Sequence, residues 1–242
     1  MEVAIEKPLH KIRRFRKQSF EAAQRYPGYD ATRDLDDYDD SLPTFKGKTL
    51  IQLIAEKSNG EQATSVLDIG CGAGNAILGI AESFPSVDVS GISGTDLRGL
   101  LKPPIRTKTQ NLDYRIGDIQ KTANIFWDKK FDLIVSVYAF IYLGDKPNAI
   151  RQCYKLLKPD GIMLIPEALD ITQEEADKLQ RFWSEMEIET EIGCNPEDKS
   201  LGLKYFNIAI KKNPEIEKLP MPFTYNAIPY NGVVLRQYEV KL

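Results

Sequence analysis

The stretch Val66-Leu67-Asp68-Ile69-Gly70-Cys71-Gly72-Ala73-Gly74-Asn75 decides the fold. It reads as an apolar strand, a glycine-rich turn and the start of a helix, in that order. Such a turn lets a ligand approach the backbone closely, because glycine has no Cβ. The following helix presents unpaired N–H groups and the positive end of its dipole to an anionic group. In an open α/β sheet, ligands bind outside the carboxyl ends of the strands, and this turn lies at such an end.

Working outward, apolar strands are predicted at 64–69, 86–92, 112–116, 131–136 and 161–165, with helices between them, clearest at 74–84 and 147–157. Alternating strands and helices imply βαβ units and a parallel sheet, an α/β doubly wound architecture. The helix over 147–157 is expected to stop at the turn Lys158-Pro159-Asp160-Gly161. Residues 172–187 form a further helix, with Thr172 as N-cap and Glu174 and Glu175 in its first turn. The strands predicted at 188–194 and 203–212 pair with each other. Residues 213–242 hold four prolines and end in an alternating run from Val233 to Val240, read as an edge strand.

Ahead of the core, residues 9–26 carry apolar positions at helical spacing, with Lys11, Arg13, Arg14, Arg16 and Lys17 between them. The turn Tyr26-Pro27-Gly28-Tyr29 follows. Six aspartates within residues 30–40 are expected to sit on a solvated loop or a helix N-terminus. A helix over 46–58 ends at Asn59-Gly60. The chain is therefore divided into an N-terminal helical cap (1–60), a ligand-binding core (61–213) and a C-terminal extension packing on it (214–242).

Composition narrows the function classes. With 242 residues, 42% hydrophobic and 28% charged, the chain is an ordinary globular protein rather than a disordered one. A net charge of −3 gives no broad basic face for nucleic acid. Three cysteines (Cys71, Cys153 and Cys194) are neither a disulfide framework nor a metal set, and they suit a reducing, cytoplasmic setting. His10 is the only histidine, which excludes zinc sites built on histidines and a histidine-based triad in the body of the chain. No metal site is expected. No stretch approaches the roughly 20 apolar residues of a membrane span, and the N-terminus lacks a secretory apolar region.

The ligand is read from charge. A dinucleotide turn needs G-x-G-x-x-G. Gly70 and Gly72 fit, but Asn75 stands third and Gly74 comes one residue early. Asp68 would repel a diphosphate and suits a cationic group instead. S-adenosylmethionine carries an ammonium and a sulfonium but no phosphate, and is favoured over NAD on that ground.

The same stretch resembles motif I of the class I S-adenosylmethionine-dependent methyltransferases. Gly117-Asp118-Ile119 is similar to the family's acidic segment after the third strand. Phe131 to Ser136 looks like its fourth strand, and Leu156-Leu157-Lys158-Pro159-Asp160-Gly161 like its turn into the fifth. The resemblance spans 64–166. It implies a Rossmann-like seven-stranded sheet with an antiparallel last hairpin, and S-adenosylhomocysteine as product. It further implies a cofactor site at Asp68, Gly70, Cys71, Gly72, Gly117, Asp118, Ile119 and Ser136. The family's acid for the ribose hydroxyls falls by count on Ser93, yet Asp96 reproduces the local look and is favoured. Pro103-Pro104 cuts short the helix expected next.

Methyl transfer is an in-line displacement, so the protein supplies alignment, and a base only where the acceptor must lose a proton. Tyr138, Tyr142 and Glu167, at the ends of strands four and five, are the substrate-side candidates. Tyr26, Tyr29 and Tyr38 from the cap, with Phe223, Tyr225 and Tyr230 from the tail, are candidates to cover the pocket. The leading expectation is methylation of a small molecule, such as a natural-product intermediate. Three alternatives stay open: methylation of RNA or protein through the basic helix, a non-catalytic scaffold on this fold, and use of the cofactor for other chemistry.

Overall fold

The computed structural model describes residues 32–59, 63–98, 111–137, 139–140, 143, 145–194, 205–230 and 233–241, with backbone alone for residues 170, 205, 225–230 and 233–239. The helix expected over 9–26, His10, Tyr26 and Tyr29 lie outside these residues, as do Tyr138, Tyr142 and Pro103-Pro104.

The chain enters through two short helices, each started by its own side chains. In α1 (Leu35–Ser41), Asp34 caps the Asp37 N–H and the Asp37 carboxylate reaches back to the Asp34 N–H. In α2 (Leu50–Ser58), Thr49 and Gln52 do the same. Both are capping boxes, which satisfy donors a helix start otherwise leaves unpaired. The aspartate-rich segment is thus in part a helix, with Asp34 and Asp37 in its cap. One expected boundary shifts: the second helix begins at Leu50 rather than at 46, because Phe45 and Lys48 bridge ahead of it.

The core alternates as the pattern requires: β1 (Ser65–Ile69), α3 (Asn75–Ser83), β2 (Asp88–Ser93), β3 (Leu112–Ile116), α4 (Thr122–Ile125), β4 (Phe131–Val135), α5 (Lys146–Leu156), β5 (Leu157–Asp170), α6 (Gln173–Glu185), β6 (Thr190–Cys194) and β7 (Tyr205–Lys211). The seven strands lie in the order β3-β2-β1-β4-β5-β7-β6. The first five are parallel, and β7 runs antiparallel to both β5 and β6. The fold is the Rossmann-like sheet with the antiparallel last hairpin that the sequence implies.

Strand alternation sends Leu67 and Ile69 to one face and Val66 and Asp68 to the other. The Leu67 face packs against α5 and α6, with Ile150, Tyr154, Leu179 and Trp183 buried in it. The Val66 face packs against α1, α2 and α3 through Tyr38, Leu53, Ile77 and Ile80.

Two expectations are corrected. Residues 158–161 are not a free turn: β5 begins at Leu157 and bulges there, with Leu157 opposite Phe131 and Ile162 already opposite Leu133. Asp160 takes a positive φ of 58° to make the bulge. The run Val233–Val240 is not an edge of the main sheet. It forms β9, paired with β8 (Phe223–Tyr230) in a separate two-stranded sheet. Proline in β8, at position 229, hides that strand from pattern reading, because proline is tolerated only where a strand lacks a central neighbour.

Candidate active site

The strand order reverses between β1 and β4. Chain progress runs outward from β1 to β2 and β3 on one side and from β4 to β5 on the other. The crevice for a ligand opens at this switch point, and the glycine turn after β1 lies at it.

Three glycines of the turn have positive φ: Gly70 at 85°, Gly72 at 56° and Gly74 at 99°. Gly70 is also constrained by space. A Cβ there would stand 2.2 Å from the Ala139 Cβ, on the loop that follows β4. The Gly70 and Cys71 N–H groups both donate to the Ile92 carbonyl of β2, at 2.8 and 3.0 Å. Gly74 serves as the N-cap of α3 and offers no side-chain cap. The start of α3 is therefore left to a ligand or solvent.

Asp68 is fully buried, and neither carboxylate oxygen has a hydrogen-bond partner among the described residues. Burial pushes its carboxyl up to about 7, opposed by the neighbouring Tyr38 hydroxyl, which stands outside hydrogen-bond geometry. A buried carboxylate without a partner is costly. A cationic group is what offsets such a cost. Burial, with Asp68 beside it, also pushes up the Cys71 thiol. Cys71 is thereby an inert packing group rather than a nucleophile.

The remaining cofactor candidates line up along the strand ends. Ser93 ends β2 and is buried, and its carbonyl accepts from the Gly117 N–H at 2.9 Å. Asp96 lies three residues farther on, half exposed, and is ion-paired with Arg98 at 2.6 Å. Bonding to Arg98 holds the Asp96 carboxyl down at about 2. Asp118 caps the 3-10 turn Ile119–Lys121 by accepting from the Gln120 N–H at 3.1 Å. A Cβ on Gly117 would meet the Cδ1 end of the Ile125 side chain at 2.3 Å, so that side chain would have to turn aside. Ser136 is buried and donates its hydroxyl to the Ile69 carbonyl at 2.7 Å. Its hydroxyl therefore ties the ends of β4 and β1 together.

On the substrate side, Glu167 is buried and takes a φ of 52°, inside a second irregularity of β5 between Ile165 and Leu169. Its N–H donates to the Asn207 side chain at 2.9 Å. Such conformations cost roughly 1–3 kcal/mol and persist where surrounding structure enforces them, often at functional sites. The Lys146 ammonium, buried at the start of α5, reaches the Glu167 carbonyl at 3.4 Å.

Two residues, Tyr114 and Lys146, escape sequence reading, and a third, Tyr38, is read there only as part of a cover. The Tyr114 hydroxyl donates to the Gly72 carbonyl at 2.6 Å, and its ring lies 3.4 Å from where a Gly74 Cβ would be. Lys146 hides in a turn read only as a helix start. Tyr38, expected in a pocket cover, is instead buried against Asp68. The alternation of β3 places Tyr114 on one face with Leu112 and Ile116, a usable signal. Nothing in the spacing marks Tyr38, which stands 30 residues before Asp68. Among the described residues no group of three or more His, Cys, Asp or Glu is placed to hold a metal, and no helix is long and apolar enough to cross a membrane.

Comparisons with known proteins bear on this site. A family profile described as a methyltransferase domain matches residues 61–209. Phosphoethanolamine N-methyltransferase 3 of Arabidopsis thaliana is 36% identical over 104 residues, which is 42% of this chain and 20% of that protein. A ubiquinone biosynthesis O-methyltransferase of Actinobacillus pleuropneumoniae is 31% identical over 117 residues, 47% of this chain and 49% of that one. The matches span half or less of these relatives' length. Among solved structures, the plantazolicin methyltransferase BamL, in complex with a triazolic desmethylPZN analog and SAH, aligns with a TM-score of 0.51 at 15% identity over 86% of this chain and all of that one. The [4+2]-cyclase SpnF aligns with a TM-score of 0.50 at 14% identity, over 85% and 95%. These two likenesses show the fold alone, and their differing names illustrate that fold does not decide chemistry. The profile covers more than half of the chain and includes the glycine turn and every strand through β6 and most of β7. The chain belongs to the methyltransferase domain family, with the class I, S-adenosylmethionine-dependent architecture.

Proposed function

We propose that the chain transfers a methyl group from S-adenosylmethionine to a small-molecule acceptor and releases S-adenosylhomocysteine. The observation that carries this reading is the unpartnered, fully buried Asp68 beneath a glycine turn at the β1/β4 switch point. When bound, the cofactor supplies a methyl carbon already activated by a sulfonium.

The residues present fit that cofactor. Asp68 takes its ammonium, and the uncapped start of α3, with Gly72 and Gly74, receives its carboxylate. Asp96 binds the ribose hydroxyls, leaving Arg98 to do so, with Ser93 beneath. Asp118 receives the adenine amine, with Gly117 and Ile119 beside it. Ser136 keeps the β4 end against β1, so that the acceptor side stays aligned with the cofactor side. The acceptor lies toward the ends of β4 and β5, where Glu167, with Tyr138 and Tyr142, binds it or removes its proton. Residues 1–60 act as the cap, and 214–242 pack on the core.

The relatives named for phosphoethanolamine and for ubiquinone biosynthesis support a small-molecule acceptor. A cytoplasmic setting goes with this reading and with the buried, unoxidised thiols of Cys71 and Cys153. The test is turnover with methyl-labelled S-adenosylmethionine against panels of small phenols, acids and amines, and in parallel against bulk RNA and protein. Label in a small molecule alone is expected. Label only in RNA or protein would overturn the acceptor class.

A further inference from the structure

Asp68 is closed off by a residue from outside the matched domain. Tyr38 is only 4% exposed, and it comes from α1 in the N-terminal segment. Two contacts fasten α1 and the residues just ahead of it to α3 of the core, and a third ties α1 to α2. The Asn75 side chain, in the first turn of α3, donates to the Thr32 carbonyl at 2.6 Å. A Cβ on Gly79 of α3 would sit 3.1 Å from the Leu35 Cβ, so glycine is what lets α1 lie this close. The Ile51 N–H of α2 donates to the Asp39 carboxylate at 2.9 Å. The phenol is therefore placed by the fold beside the carboxylate, not dropped there by a loose arm.

We propose that Tyr38 is a cofactor-positioning residue: it seals from water the Asp68 carboxylate that takes the cofactor ammonium, which couples cofactor binding to docking of α1. The inference rests on the cofactor assignment above and adds to it a residue and a moving part. Tyr38 acts through Asp68. Its hydroxyl favours the charged carboxylate, while burial disfavours it. The other groups facing the pair are the Cys71 thiol, from the glycine turn, and Arg33, just ahead of α1, whose charge acts on Tyr38. Because only the ionised carboxylate attracts an ammonium, affinity rises as pH rises through the Asp68 titration. Losing the phenol hydroxyl removes a group that favours ionisation, so the midpoint of that rise moves up.

The experiment is titration calorimetry of the full chain with S-adenosylhomocysteine from pH 6 to 8.5, for wild type, Tyr38→Phe and Leu35→Ala. Circular dichroism and thermal melts of the unliganded proteins accompany it. Hydrogen exchange of residues 32–41 is followed with and without the same ligand. The expected result is a Tyr38→Phe protein with wild-type ellipticity, at least fivefold weaker binding at pH 7 and a midpoint shifted to higher pH. Leu35→Ala, which loosens α1 without removing the phenol, also weakens binding. Ligand protects residues 32–41 in wild type. Wild-type affinity and midpoint in Tyr38→Phe, or no ligand protection of α1, would overturn the inference while leaving the cofactor assignment standing. No binding by wild type would overturn the assignment, and the inference with it.

Discussion

The Tyr114 hydroxyl of β3 donates to the Gly72 carbonyl of the glycine turn at 2.6 Å. Burial pushes this phenol up to about 12, so it stays a donor at any working pH. An edge strand thus holds the turn in shape from two strands away. Tyr114→Phe keeps the ring beside Gly74 and deletes only the bond. A neutral buried hydrogen bond contributes a net ~1 kcal/mol, so S-adenosylhomocysteine binding is expected to weaken about fivefold in calorimetry. Unchanged affinity would mean that the turn does not need the tether.

Gly70→Ala is expected to fail more severely. The added methyl meets Ala139 at 2.2 Å, on a backbone with φ of 85°. Strain and overpacking together cost roughly 2–4 kcal/mol, read as a lowered melting temperature and lost cofactor binding. Gly94→Ala is the control, because a Cβ there meets nothing within 4 Å. It should melt and bind as wild type does.

Asp68→Asn separates stability from function. The folded-state carboxyl is raised to about 7 from its ordinary 3.8, chiefly by burial. Between those values the folded state binds the extra proton, so the unliganded protein loses stability as pH rises from about 4 through 7. One pKa unit corresponds to 1.36 kcal/mol, so the full effect is of order 4 kcal/mol. Asn cannot ionise. Denaturant melts of Asp68→Asn without ligand should show a flatter pH dependence and higher stability than wild type at pH 8, while cofactor affinity falls at least tenfold. A variant that is both less stable at pH 8 and still a good binder would contradict this account of Asp68.

The ribose contact divides Asp96 from Ser93. Asp96 is half exposed and held by Arg98, whereas Ser93 is buried at the end of β2. Asp96→Ala is expected to weaken S-adenosylhomocysteine binding at least fivefold, and Ser93→Ala less than twofold. The reverse order would move the ribose to Ser93.

Legibility in the sequence follows the range of the interactions. The β1–turn–α3 unit is read directly because strand, glycines and helix are local, and the strand over 112–116 matches β3 to the residue. Thr172 is recognisable as a cap for the same reason. The bulge at Lys158–Gly161 looks like a turn because proline, aspartate and glycine serve both, and pairing with Phe131 decides between them. β8 is missed because its partner β9 supplies the ladder that position 229 cannot advertise. Tyr38 and Tyr114 act across 30 and 42 residues of chain. No periodicity encodes such contacts, which arise only once the sheet order is set.

The central claim is that the Asp68 turn holds S-adenosylmethionine. Titration calorimetry of the full chain with S-adenosylhomocysteine, and with NAD as the control, tests it most directly. The account predicts micromolar binding of the first, about −8 kcal/mol, and none of the second. Binding of NAD, or of neither ligand, would contradict it.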